Sequence, residues 1–127
     1  GSAATTGTAR QTRFHPEPYT AGCVVASFAD VGVELSSVFP GSGTKLGFVI
    51  LEPSSTSGLR LQILVASNPQ SVALELAQAH AIKQLRPKMV GDSVATHKDN
   101  LFITYQNHPR ERDTLRRGLR RVAQRCS

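Results

Sequence analysis

Apolar side chains recur at intervals of three and four residues in three stretches of the chain, a spacing typical of amphipathic helices. The first helix is predicted to start after Thr20, a suitable N-cap, and to end near Gly32, although its Cys23-Val24-Val25 run is also compatible with a strand. The second is predicted to begin at Asn68-Pro69, an N-cap followed by proline at the first helical position. Its predicted apolar stripe consists of Val72, Ala73, Leu76, Ala79, Ile82 and Leu85.

The third helix is predicted over residues 110–127 and has the sharpest division between its two sides. Its apolar positions recur at helical spacing and are Leu115, Leu119, Val122 and Cys126. Its opposite side is predicted to carry Arg116, Arg117, Arg120 and Arg121. The pattern therefore predicts a helix that packs through its leucines and exposes its arginines to water.

Short β-rich runs separate the helices. The sequence predicts strands over residues 33–39, 46–52 and 59–66, of which the last two form a hairpin with a long loop. It predicts a second hairpin from residues 94–97 and 101–105. Hairpins interleaved with three helices favour an α+β fold, with an antiparallel sheet of about four strands covered on one face by helices. This arrangement is close to the ferredoxin-like one.

The domain organisation follows from the N-terminal composition. Gly1-Ser2 is typical of a tag remnant, and the segment that follows is small, polar and aperiodic. Residues 1–18 are therefore predicted to be a flexible linker, and residues 19–127 a single α+β domain. The longest mainly apolar run, residues 46–51, is far shorter than the roughly 20 residues of a membrane span.

The charge of the chain indicates the sign of a partner. The net charge is +6 and the isoelectric point is about 10.0. Residues 110–127 contain seven arginines and two acids, which gives this segment a net charge of +5. Such a field attracts anions, which include acidic proteins, wall polymers, lipid head groups and nucleic acids.

The chain has two cysteines, Cys23 and Cys126, near the two ends of the predicted domain. They are compatible with two buried thiols that act as small hydrophobic residues. The alternative is a disulfide that joins the first element to the last and implies an oxidising compartment.

Candidate catalytic and metal sites are sparse in the sequence. The four histidines, His15, His80, His97 and His108, share no metal-ligand spacing with one another or with a cysteine, so no metal or other cofactor is expected. The segment Gly41-Ser42-Gly43-Thr44-Lys45 lacks the spacing of a phosphate-binding loop and precedes a predicted strand, which makes it a turn. No acid, base and nucleophile assemble from the pattern, so we expect a protein that is not an enzyme.

Five of the seven arginines of the third helix are the candidate binding residues, namely Arg112, Arg116, Arg117, Arg120 and Arg121. A terminal helix of this kind is also compatible with a solvated face that has no partner. Nucleic acid is an alternative partner, but Phe102 and Tyr105 are the only aromatic residues expected near this helix and they are out of phase along their strand. A non-enzymatic binding or structural module for an anionic partner is the function that the sequence favours.

Three segments resemble small extracytoplasmic lipoprotein domains of Gram-positive bacteria over about residues 20–123. They are Phe28-Ala29-Asp30-Val31-Gly32-Val33-Glu34-Leu35, the strand of residues 61–65 that leads into an alanine-rich helix, and Asn100-Leu101-Phe102-Ile103-Thr104-Tyr105 before the last helix. In that group a Gly-Asn pair usually introduces the last strand, and here Asp99-Asn100 takes its place. The resemblance implies a location outside the cytoplasm, in a secreted or membrane-anchored protein, and assigns no activity.

Overall fold

The structure is a computed structural model that describes residues 18–38, 48–85, 88 and 91–126. Its helices include α1 (Ala21–Asp30), α2 (Pro69–Leu85) and α3 (Pro109–Arg125). Five strands accompany them, β1 (Leu35–Ser37), β2 (Phe48–Pro53), β3 (Leu61–Ala66), β4 (Ser93–Lys98) and β5 (Leu101–Gln106). A 3₁₀ turn, Ser55–Ser57, lies between β2 and β3.

The five strands form one sheet in the order β1-β2-β3-β5-β4, and every neighbouring pair is antiparallel. The predicted α+β class is confirmed, with five strands where about four were expected. Both predicted hairpins are present, since β2 pairs with β3 and β4 pairs with β5. The element order αβββαββα differs from the βαββαβ order of the ferredoxin-like unit.

Helix starts follow the capping chemistry that the sequence indicates. The Thr20 hydroxyl accepts a hydrogen bond from the backbone N–H of Cys23 and thereby caps α1. The Asn68 side chain accepts a hydrogen bond from the backbone N–H of Ser71 at 2.9 Å. Pro69 is the first helical residue of α2. Both predicted helix starts are confirmed, and Cys23 lies in a helix rather than a strand.

Helices lie on both faces of the sheet, whereas cover on one face was expected. Helices α1 and α3 pack on the main core, where Phe28 and Val122 meet the β3 and β5 side chains of Ile63 and Ile103. Phe102 lies between Leu101 and Ile103 in the strand, so its side chain points to the opposite face. There it packs against Val72 of α2 in a second, smaller cluster.

Helix α2 contributes less of its predicted stripe to the core than expected. Val72 is fully buried and Leu76 and Ala79 pack against the second cluster. Ile82 and Leu85, in contrast, are 49% and 80% exposed. The prediction of a continuous buried stripe is therefore wrong for the last turn of α2.

A glycine allows α1 and α3 to approach closely. A Cβ atom built at Gly118 in the middle of α3 would overlap three atoms of the Phe28 ring. Phe28 is fully buried, so its ring has no free space into which it can move. Gly118 is thus required for this packing, which outweighs the roughly 1 kcal/mol that glycine costs inside a helix.

One buried amide connects three parts of the chain. The Asn100 side chain is fully buried, and its Oδ1 accepts from the backbone N–H of Tyr19 at 2.8 Å. Its Nδ2 donates to the backbone carbonyls of Tyr19 at 2.9 Å and Ala66 at 2.8 Å. Asn100 therefore fixes the segment before α1 to the end of β3 and to the β4–β5 turn.

Some predictions concern residues outside the described ranges. Of the predicted linker, residues 1–18, only Pro18 is described. The Gly41-Ser42-Gly43-Thr44-Lys45 turn and His15 also lie outside, as does the start of the strand predicted at residue 46.

Candidate functional site

The third helix packs as its sequence pattern predicts. Leu115 and Val122 are buried in the main core, and Leu119 packs against that core from the edge. Glu111, also buried, accepts a hydrogen bond from the backbone N–H of Arg60 at 2.9 Å. Because the apolar side faces α1 and the sheet, the arginine side chains of α3 lie toward solvent.

The end of α3 is covalently joined to α1. Cys23 and Cys126 form a disulfide with an S–S distance of 2.03 Å. The Ser27 hydroxyl lies 3.4 Å from the Cys126 sulfur and donates to the Cys23 carbonyl at 2.8 Å. The predicted disulfide is confirmed, and the alternative of two buried thiols is wrong.

Six of the seven arginines of α3 fall into two rows of residues spaced four apart, and the seventh, Arg110, lies beside Gly58. We call Arg117, Arg121 and Arg125 the second row, because this row faces α1. Arg121 Nε and Arg125 Nη1 lie 2.7 and 2.8 Å from the Asp30 carboxylate at the end of α1, and Arg117 donates to the Val31 carbonyl at 3.3 Å. The second row thus holds α1 and α3 together.

The first row, Arg112, Arg116 and Arg120, points away from α1 and has fewer internal contacts. Arg116 pairs with Asp113 at 2.7 Å, and Arg112 donates to the Asn107 side chain at 2.6 Å. Within the described part of the chain, Arg120 has no hydrogen-bond or ion-pair partner. A guanidinium group has five N–H donors, so each first-row residue keeps free donors for an anion.

Two carboxylates position these arginines. The Arg121 hydrogen bond is the main cause that lowers the pKa of Asp30 below its ordinary 3.8, with the charges of Arg125 and Arg121 adding to it. Hydrogen bonds from Arg117 and Arg116 lower the pKa of Asp113 in the same way. Both carboxylates are therefore ionised at neutral pH and orient guanidinium groups from both rows.

The Asp30 contact predicts an acid-dependent loss of stability. Since its folded pKa is lower than its unfolded value, Asp30 stabilises the fold fully above about pH 4 and loses this contribution as the pH falls through the folded pKa. We expect Asp30→Asn to lower the urea midpoint at pH 6 and to lower it by less at about pH 3. Asp92→Asn, at an exposed turn, is the control. An Asp30→Asn effect of the same size at both pH values would contradict this assignment.

The other candidate groups lie apart from this surface. Phe102 packs in the second cluster and Tyr105 against the main core, so neither ring is free to stack on a base beside the arginines. His80, His97 and His108 belong to three different elements or turns. Among the described residues, no group of three histidine, cysteine, aspartate or glutamate side chains is placed to hold a metal ion.

Sequence reasoning missed Asp30 as a partner of the arginines, because it is 91 residues from Arg121 along the chain. The signal that was present is the acid itself at the last position of α1, where the helix dipole disfavours a negative charge. An acid at this position indicates a nearby cation, although it does not identify which one.

Comparison with known proteins adds no relative to this description. No protein-family model, curated protein or solved structure matches the chain. None of the helices in the described residues is both long enough and apolar enough to span a membrane.

Proposed function

We propose that this protein is a non-enzymatic binding module outside the cytoplasm, whose first arginine row contacts an anionic partner. The observation that carries the proposal is Arg120, an exposed arginine with no partner in the described part of the chain, between Arg116 and the C-terminal turn. Its guanidinium group, on a helix that is packed against the core, supplies a positive surface that needs little reordering on binding.

The location rests on the disulfide. Disulfides persist in oxidising compartments and are rare in the cytosol, so the Cys23–Cys126 bond supports a secreted or membrane-anchored protein. The resemblance to small extracytoplasmic lipoprotein domains of Gram-positive bacteria points the same way.

The partner is an anion with repeated charges. Residues four apart on a helix lie about 6 Å from one another, so Arg112, Arg116 and Arg120 form a short line of cations. The planar guanidinium group matches phosphate and carboxylate oxygens with paired hydrogen bonds. Wall polymers, lipid head groups and acidic protein segments all provide such oxygens at short intervals.

Nucleic acid is the alternative partner and uses the same phosphate chemistry. Stacking of bases on aromatic side chains gives this alternative little support, because Phe102 is buried and Tyr105 is partly buried against the main core. Its signature is an affinity that falls steeply with salt in the same way for single strands of any sequence.

The two rows allow a matched test of the proposal. We expect Arg112→Gln/Arg116→Gln/Arg120→Gln to weaken binding of polyphosphate or polyglutamate about tenfold at low salt, since three exposed charge pairs contribute roughly 0.5 kcal/mol each. The variant Arg117→Gln/Arg121→Gln/Arg125→Gln removes the same charge and is the control. It is expected to lower the urea midpoint and to weaken binding by less than about threefold. Binding is measured by isothermal titration calorimetry.

Equal losses of affinity in the two triple variants would contradict a role for the first row and indicate only a general effect of charge. Binding that neither variant changes would reject the arginine surface altogether. Single-stranded DNA serves as a third titrant, and a clear preference for it over both other polymers would favour the nucleic-acid alternative.

A further inference from the structure

The C-terminal half of α2 stands away from the sheet. Val72, near its start, is fully buried, whereas Ile82 and Leu85 are largely exposed. The Lys83 ammonium group donates to the Ser93 carbonyl of β4 at 3.2 Å and spans the gap between helix and strand. The helix and the sheet therefore diverge and leave a cleft beneath the second half of α2.

This opening, the α2 cleft, has mainly apolar walls and a volume of about 250 Å³. Ala79 and Ile82 line it from the helix, and Ala95 lines it from β4. An apolar cavity of about 150 Å³ holds benzene, so this space is large enough for an alkyl chain of several carbons.

A second cleft of about 550 Å³, the sheet cleft, adjoins the first on the same face of the sheet, and its walls are about equally polar and apolar. Its floor includes a row of neighbouring residues on adjacent strands, formed by Ser36, Glu52, Gln62 and Thr104. Ser93 and Thr104 line both clefts. The two are thus parts of one groove with an apolar end under α2 and a more polar end on the open sheet.

The charges along the groove favour an anion. Glu52 already accepts a hydrogen bond from Gln62 Nε2 at 2.7 Å. The Arg60 guanidinium, which lines the sheet cleft, has no hydrogen-bond or ion-pair partner in the described part of the chain. Lys83 lies where the two clefts meet, and it uses one of three ammonium protons on Ser93. The residues that line the two clefts thus include two cations, Arg60 and Lys83, and one carboxylate, Glu52, so the net charge along the groove is positive.

We propose that this groove binds an amphiphile with a single alkyl chain and an anionic head group. The chain lies in the α2 cleft against Ala79, Ile82 and Ala95, and the head group contacts Lys83 at the junction of the two clefts. Binding of the alkyl chain removes water from the apolar walls of the α2 cleft, and this is the favourable contribution to the binding free energy of such a ligand. The site lies on the sheet face opposite α1 and α3, so it is independent of the arginine surface.

Dodecanoate, kept below its micelle concentration, is the probe for this site. We expect saturable 1:1 binding by isothermal titration calorimetry, and no binding of acetate, which has the head group without the chain. Dodecyltrimethylammonium, with the same chain and the opposite charge, is expected to bind about tenfold more weakly. Lauroyl lysophosphatidylglycerol, compared with dodecanoate, distinguishes a lipid from a free fatty acid as the source of the head group.

Variants on one helix locate the site. Ala79→Phe fills the α2 cleft and is expected to weaken dodecanoate binding more than tenfold, whereas Leu74→Phe, at an exposed position of α2 outside the groove, leaves it unchanged. Lys83→Gln is expected to weaken binding of dodecanoate about fivefold and to leave that of dodecyltrimethylammonium unchanged or stronger. Amide NMR shifts on addition of dodecanoate to the unmodified protein are expected at Ala95 and Thr104 and not at Leu115.

Absence of saturable dodecanoate binding would overturn the proposal, and so would shifts confined to α3. Equal binding by Ala79→Phe and Leu74→Phe would do the same, because it would exclude the α2 cleft. The first-row arginine variant separates this proposal from the proposed function, since it is expected to bind dodecanoate with unchanged affinity.

Discussion

Replacing Cys23 and Cys126 together with serine is expected to lower the free energy of unfolding by about 4 to 5 kcal/mol. The bond joins residues 103 apart, and cross-linking a loop of about 100 residues removes roughly 4.7 kcal/mol of chain entropy from the unfolded state. This is a large share of the 5 to 15 kcal/mol that stabilises a typical domain. The same bond closes the α1–α3 contact from which the arginines project, so its loss also loosens their support.

Urea unfolding of the double-serine variant and of the unmodified protein, with and without dithiothreitol, measures this effect. Dithiothreitol is expected to destabilise the unmodified protein to about the level of the variant and to leave the variant unaffected. A difference below about 1 kcal/mol would contradict the entropic account, since it would mean that the unfolded chain gains little freedom from loss of the bond.

Asn100→Ala is expected to cost about 3 kcal/mol. Three hydrogen bonds disappear, and the backbone groups of Tyr19 and Ala66 that they served lose their partners. A hydrogen bond contributes about 1 kcal/mol net, and a buried polar group without a partner costs about 1 to 3 kcal/mol. Asn100→Asp is expected to be at least as harmful at neutral pH, because a carboxylate cannot donate to the Tyr19 and Ala66 carbonyls.

Asn107→Ala is the control for this prediction, because Asn107 is also an asparagine next to β5, but its side chain is exposed and accepts a single hydrogen bond, from Arg112. Its free energy of unfolding is expected to fall by less than about 0.5 kcal/mol, as is usual for surface positions. Chemical denaturation followed by circular dichroism compares the three variants. Equal stability of Asn100→Ala and Asn107→Ala would show that the Asn100 hydrogen bonds contribute little.

The local part of this fold could be predicted from the sequence. Thr20 and Asn68-Pro69 mark helix starts through side-chain and backbone chemistry that acts within three residues, so no tertiary information is needed. The spacing of leucine and arginine along α3 is also a local signal, and the helix that it predicts, with leucines packed inward and arginines toward solvent, is present. The disulfide could be named as one of two alternatives, because a cysteine pair at the ends of a domain is compatible with both.

The distribution of helices between the two faces of the sheet could not be predicted from chemistry that acts within a few residues. It depends on which strand side chains face each side, and the runs Leu101-Phe102-Ile103 and Ile63-Leu64-Val65 are apolar on both sides. Such runs are typical of strands that are covered on both faces, and they indicate helices on both sides of the sheet.

The contacts that organise the candidate site depend on distant residues. Nothing near Asp30 in the sequence indicates two arginines from the other end of the chain, and Asn100 has the same local pattern as an exposed turn asparagine. The Gly118 position did carry a signal, because glycine within a strong helix pattern often marks a close approach. Its partner, Phe28, is known only from the packing.

The disulfide also turns almost the whole domain into a closed covalent ring, from the first turn of α1 to the residue after α3. A protease that cuts any single peptide bond between these points, for example in an exposed loop, releases no fragment. The two pieces stay attached and can remain folded around the same core. In surroundings rich in proteases, the molecule therefore survives a first cleavage as one particle.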